Sequence, residues 1–331
     1  MKRLLSFIAA LIAFLAFAFV RENHQQTTVA KVPTVGILQL MSHPALDSIH
    51  RGIIKGLADE GYHVGKNVKI DFQNAQNDQS NLKTMSTRFV NENVSAMIGI
   101  ATPSAQALAN ATTKTPIILG AITDPKGAGL VKSNTHPGGN ITGVSDQAPL
   151  AEQLDLIQKI MPNMKTLGII YTSSDDSATA QYHKFKALCQ QKHVNLKAYS
   201  IANTNDLNQV SQQMVSEVDA VYVPTDNTVA SAMQTLVANA NHAKVPVFPA
   251  VDSMVKAGGV ATMSINQYDL GVETGKMTAK ILAGKATPAD TPIHFVKHGE
   301  LVVNPTQADK IGITIPNSLI KEAKAHGEVV H

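Results

Sequence analysis

Tryptophan is absent from the 331-residue chain, cysteine occurs once and aromatic residues make up only 5%. The lone Cys189 excludes an internal disulfide and reads as a bystander thiol within a helical stretch; it cannot be a lipid-modified N-terminal residue. The formal charge is just +3. No Lys/Arg block or basic stripe with interleaved aromatics follows the N-terminus, which argues against nucleic acid as a partner. Catalytic motifs are missing too: no Gly-x-Ser-x-Gly, His-Glu-x-x-His or Gly-x-Gly-x-x-Gly is present. Residues 271–277 fall one residue short of a phosphate-loop spacing, end in Met and lie inside a helical pattern. Residues 253–256 fit Ser-x-x-Lys but lack a companion Lys-Thr-Gly or Ser-Asp-Asn. The twelve histidines are scattered, with no metal-ligand pair at useful spacing. The chain is therefore expected to use no cofactor or metal and to be no enzyme.

What is present begins with Met1-Lys2-Arg3 and an apolar run over residues 4–20, uncharged until Arg21. This is the pattern of a secretory signal or an uncleaved membrane anchor. Ala16-Phe17-Ala18 is a passable cleavage site, and residues 21–31 are polar enough for a flexible tether. The expected location is extracytoplasmic, either secreted or held at the cell surface. The remaining length exceeds what one core usually organises, and a hydrophobic content of 44% supports two.

Residues 220–233 show the unit from which the rest is built. Val221, Tyr222 and Val223 form a short β run that Pro224 ends, and Thr225, Asp226, Asn227 and Thr228 precede a helical pattern. Polar groups thus gather at the carboxyl end of a strand, the edge where open α/β sheets bind small ligands. The same order recurs along the chain. Strands are predicted at 35–40, 68–72, 96–100, 116–119 and 141–144, then at 166–171, 196–200, 220–223, 247–249 and 260–265. Helices are predicted at 45–60, 82–91, 105–111, 150–160, 178–192, 206–216, 229–243 and 269–283, and residues 250–253 read as a loop. A strand at 295–303 and two short helices complete the pattern. The alternation predicts an α/β fold of two doubly wound lobes with parallel sheets, and a cleft between facing strand ends is a favoured small-molecule site.

Several loop residues are candidates for that cleft. Thr102 suits an N-cap and Pro103 the first helical position, so free N–H groups of Ser104 and Ala105 could hold a carboxylate. Asp226 or Asp252 could pair with an ammonium across the cleft, making a clamp for a zwitterion. His43, Asp124, Ser173, Ser174, Thr225 and Asn227 lie in similar loops. Each reads equally as turn or cap chemistry, since Asp, Asn and Ser favour such positions without any ligand. Tyr171, Tyr222 and Phe248 stand at strand ends, although no aromatic cage is evident.

Four stretches occur in order: Leu-Met-Ser-His-Pro-Ala-Leu-Asp at 40–47, Ile-Thr-Asp-Pro at 122–125, Pro-Gly-Gly-Asn-Ile-Thr-Gly-Val-Ser-Asp at 137–146 and Val-Pro-Thr-Asp-Asn-Thr at 223–228. Together they resemble the solute-binding proteins of ABC importers, in the subgroup proposed to carry tryptophan and other aromatic amino acids. Leu40, Ser42 and Ser145, which lie in these stretches, join the candidate ligand set. The resemblance implies a type I periplasmic-binding-protein fold with a three-crossover hinge that closes on its ligand. It places residues 32–145 and 266–293 in lobe one, and 146–265 and 294–331 in lobe two. It also implies an ABC permease as membrane partner and a monomeric protein. Many Gram-positive members of this family carry a lipid-anchor cysteine after the signal; its absence here makes retention of the apolar segment the expected anchor. Two other functions stay open: a ligand-sensing domain for a membrane signalling protein, and a binding protein for a nucleoside or sugar.

Overall fold

β-branched runs ending in polar turns become strands, and the amphipathic stretches that follow become helices. The computed structural model describes residues 32–330, so the expectations for residues 1–31 lie outside the described residues. The first part runs β1 (Thr34–Gln39), α1 (Pro44–Asp59), β2 (Lys69–Asn74), α2 (Gln79–Asn91), β3 (Ala96–Ile100), α3 (Thr102–Ala111), β4 (Ile117–Gly120) and β5 (Ile141–Ser145). The second runs α4 (Leu150–Ile160), β6 (Thr166–Thr172), α5 (Asp176–Gln191), β7 (Asn195–Ile201), α6 (Leu207–Val215), β8 (Ala220–Val223), α7 (Asn227–Ser231), α8 (Met233–Ala243) and β9 (Val247–Pro249). Then follow α9 (Asp252–Lys256), β10 (Ala261–Ser264), α10 (Gln267–Leu282), β11 (His294–Phe295), β12 (Glu300–Val303), α11 (Pro305–Ile311), α12 (Asn317–His326) and β13 (Glu328–Val329). No helix among the described residues is long and apolar enough to cross a membrane.

Two parallel sheets dominate. One has the order β11-β5-β4-β3-β1-β2 and the other β7-β6-β8-β9. A small third sheet, β10-β12-β13, pairs β10 and β12 antiparallel. Each large sheet is the centre of its own apolar core, one built around Ile37, Ile98 and Ile118, the other around Ile169, Val221 and Leu236. The chain passes from one core to the other three times: between Val144 and Ala148, between Ala261 and Ile265, and between Ile293 and Leu301. The protein is thus a two-lobed α/β molecule with a triple crossover.

Three local expectations are corrected. The helix expected over 229–243 is two, broken at Ala232, whose φ of −118° and ψ of 23° leave the helical region. The strand expected over 295–303 divides between lobes: β11 extends the six-stranded sheet beside β5, and β12 pairs with β10. Residues 252–256, expected to start as loop, form a helical turn.

The phosphate-loop near miss at 271–277 lies inside α10, where its glycines serve packing. A Cβ on Gly271 would sit 2.1 Å from the Ile49 carbonyl oxygen, and one on Gly275 would sit 2.3 Å from that of Ile53. Gly52 and Gly56 of α1 are equally close to α10, with virtual contacts of 2.1 Å to the Tyr268 oxygen and 2.0 Å to the Val272 oxygen. Backbone therefore meets backbone along this seam. The seam fixes the start of α1 against the start of α10, two ends that reach the site described next.

Candidate functional site

Between the two sheets, the loops at their carboxyl ends border a space of about 450 Å³, open solvent included. His43, Ala45 and Leu46 reach it from the β1–α1 turn, Ala101 and Thr102 from β3–α3, Ala121 and Thr123 from beyond β4, and Asp146 from beyond β5. The opposite wall carries Ser177, then Thr225, Asp226, Asn227 and Ala230 from β8–α7, and Val251, Ser253 and Met254 from β9–α9. Gln267 joins from the second crossover.

Asp226 is 1% exposed and its acceptors are largely occupied within its own lobe. As N-cap of α7 it accepts the Val229 N–H at 3.0 Å, the Thr172 hydroxyl at 2.9 Å and the Thr172 N–H at 2.6 Å. Asp146 is 7% exposed and accepts one side-chain hydrogen bond, from the Thr123 hydroxyl at 3.0 Å. Burial, opposed only partly by these donors, pushes both carboxylates up to about 6. No Lys or Arg lines the cavity. Its one basic side chain is His43, whose pKa burial lowers against the raising effects of Asn227 and Asp47. His43 Nε2 meets Asn227 Oδ1 at 2.9 Å across the lobes, while its Nδ1 is buried without a protein partner.

The expected helix start needs correction. Ala101, not Thr102, is the N-cap of α3, with Pro103 in the first turn. The Ala105 N–H is not free, because it donates to the Ala101 carbonyl at 3.2 Å. Thr102 and Ser104 occupy first-turn positions whose N–H groups have no intrahelical acceptor, and the buried Ser104 hydroxyl has no partner.

The other candidates lie elsewhere. Asp252, the alternative ammonium partner, does not line the cavity; it opens α9 and pairs with Lys256 at 2.9 Å. Lys256 also pairs with Glu328 at 2.9 Å, so it is engaged away from Ser253. Asp124 accepts the Gly127 N–H at 2.9 Å and pairs with Lys184 of the other lobe at 2.8 Å, beside a smaller crevice. Leu40 is buried in the core of its lobe, and Ser42 donates to Asp47 at 2.7 Å. The Ser145 hydroxyl donates to the Thr123 carbonyl at 3.3 Å, bracing the loop that carries Asp146. Ser173 and Ser174 donate to the Ile201 and Ala202 carbonyls, at 3.2 and 3.3 Å. Of the strand-end aromatics, Tyr171 stacks on Tyr182, Tyr222 stacks on Phe185 and donates to Gln153 at 2.6 Å, and Phe248 is core. None of them lines the cavity. Sequence reasoning missed Asp146 and Thr123 as wall residues, although each ends or lies within a stretch singled out above; Ala101 and Ala121 carried no polar signal, and Gln267 lay outside every stretch singled out.

A profile of the ABC transporter substrate binding protein family matches residues 34–327. A tyrosine-binding protein of Clostridioides difficile (strain R20291) is 36% identical over 282 residues, covering 85% of this chain and 81% of that protein. An ABC domain from Streptococcus pneumonia, solved in complex with L-Trp, is 45% identical with a TM-score of 0.87, covering 90% of this chain and 99% of that one. The ligand-free, open structure of a substrate-binding protein with adhesive properties from Clostridium difficile is 36% identical with a TM-score of 0.69, covering 86% and 97%. With two α/β lobes bordering a cavity and a match spanning nearly all described residues, the chain belongs to the ABC transporter substrate-binding protein family, whose members hold a small molecule outside the cytoplasm without converting it.

Proposed function

We propose that this protein captures an amino acid with an aromatic side chain and delivers it to the permease of an ABC importer. The observation that carries the reading is the pairing of buried Asp146 and Asp226 in a cavity wall without Lys or Arg. Uncompensated buried carboxylates favour a cationic group, and an ammonium supplies one. Asp146, with fewer donors already on it, is the ammonium partner; Asp226 holds the opposite loop in place and adds negative potential. The ligand carboxylate sits at the start of α3, where Thr102 and Ser104 present N–H groups and the helix dipole favours an anion. Leu46, Ala101, Ala121 and Met254 are the apolar wall residues toward the side chain. Thr225 and Asn227 contribute from the facing wall.

The names of two relatives, one binding tyrosine and one solved with L-Trp, support an aromatic ligand. The higher TM-score to the L-Trp complex than to the ligand-free open structure supports a closed arrangement. In this reading the apolar run at 4–20 sends the monomeric protein out of the cytoplasm or tethers it beside the permease.

The test is calorimetry of the purified protein with L-Trp, L-Tyr, L-Phe, L-Leu, a nucleoside and a sugar, paired with thermal unfolding. A true ligand raises the melting temperature with its concentration. Binding confined to the nucleoside or sugar would reject the amino-acid reading.

A further inference from the structure

Ala101 and Ala121 stand one residue beyond the ends of β3 and β4, strands paired through Ile100 and Gly120. Both have backbones in the left-handed half of conformational space, with φ of 73° and 62°. Ala101, with ψ of 152°, occupies a region populated almost only by glycine. A side chain with a Cβ is disfavoured there by roughly tenfold relative to glycine. The other non-glycine residues with positive φ among those described are Gln76, Asn77, Asn93, His193 and Lys244, and none of these lines the cavity. The two strained alanines both do, and each is only 4% exposed.

The surrounding sheet holds them in place. The Ala101 N–H donates to the Gly120 carbonyl at 3.4 Å, its carbonyl accepts from Ala105 at 3.2 Å, and the Ile122 N–H donates to the Val144 carbonyl at 3.1 Å. These bonds are made by main-chain groups and would survive in glycine. Both methyl groups also belong to the apolar cluster of their lobe, but backbone strain retained at a ligand wall points to a use there.

We propose that Ala101 and Ala121 are specificity-determining residues, their methyl groups forming the platform on which the planar side chain of the ligand lies. No Phe, Tyr or Trp lines the cavity, which leaves a role for small apolar groups in this surface. The two methyl groups come from the ends of adjacent, paired strands. The proposal rests on the amino-acid reading above.

The test compares the wild-type protein with Ala101→Gly and Ala121→Gly, using calorimetry with L-Trp, L-Tyr, L-Phe and L-Leu and thermal unfolding without ligand. Each variant is expected to melt no lower than wild type, because strain is relieved. Each is expected to lose about fivefold in affinity for the aromatic amino acids, about the contribution of one buried methyl, and less for L-Leu. Variants that keep wild-type affinities and the wild-type aromatic-to-leucine ratio would overturn the platform alone, as would a fall in melting temperature. A wild-type protein that binds none of the four would sink the amino-acid reading and the platform with it.

Discussion

His43 Nε2 lies 2.9 Å from Asn227 Oδ1, joining the turn before α1 to the first residue of α7 across the two lobes. The bond is buried on the His43 side and forms part of the cavity wall. It exists only when the lobes are together. Asn227→Ala would leave a polar ring in the closed protein without this partner, at a cost of about 1–3 kcal/mol. The expected outcome is about tenfold weaker ligand binding, with a larger radius of gyration in solution scattering at subsaturating ligand. Unchanged affinity and scattering would show that this bond does not favour closure.

Acidification gives a second prediction with a definite sign. Asp146 and Asp226, raised by burial to about 6, are ionised above that pH and protonated below it. An ammonium pairs with the ionised form and lowers the carboxylate pKa in the complex, so affinity is complete above about 6 and is lost as pH falls through it. The limiting slope is about tenfold per pH unit for each carboxylate that takes up a proton. Calorimetry from about pH 5 to 8 should show this fall, and Asp146→Asn should both weaken binding and flatten it. A wild-type affinity independent of pH would remove the carboxylate–ammonium pair.

The Asp124–Lys184 ion pair also spans the lobes, but at the rim. The Lys184 side chain is 43% exposed and that of Asp124 25%, and Lys184 holds the carboxyl of Asp124 below its ordinary value despite the opposing effect of burial. Exposed pairs contribute about 0.2–1 kcal/mol. Lys184→Ala is therefore expected to speed ligand release about two- to fivefold in stopped-flow measurements, with the difference shrinking at high salt. An effect that persists at high salt would indicate a role other than ion pairing.

The α1–α10 seam predicts a loss of stability away from any ligand contact. Replacing Gly52 or Gly275 with alanine puts a Cβ about two ångströms from backbone oxygen unless the helices separate. Denaturant titration of Gly275→Ala should show a loss of about 1–3 kcal/mol. Because the seam sets the start of α1, which supplies Ala45 and Leu46 to the cavity, ligand affinity should fall as well. A fully stable variant would mean that the helices can part without cost.

Strand and helix periodicity, the polar turns at strand ends and the scarcity of charge were enough to read an α/β architecture and the loops that border its cleft. Thr225, Asp226, Asn227, Thr102 and His43 were all legible as strand-end residues, and all line the cavity. Local sequence does not separate Asp226 from Asp146, since both are acids just beyond a strand. Thr172, 54 residues from Asp226 along the chain, occupies that carboxylate, and no periodicity encodes such a pairing. The break at Ala232 carries no proline or glycine, whereas the division of β11 from β12 holds Gly299, a local break signal that the reading of one strand over 295–303 passed over.

The sequence by itself determined which segments become strands and helices, because those preferences act over a few neighbouring residues through backbone sterics and the spacing of apolar side chains. Tertiary structure alone decided which polar groups are occupied and which face the cavity, since that depends on partners such as His43 and Asn227, 184 residues apart, meeting at the cavity wall. It also put two alanines into a backbone conformation that glycine would adopt more easily, through the pairing of β3 with β4 and of β4 with β5.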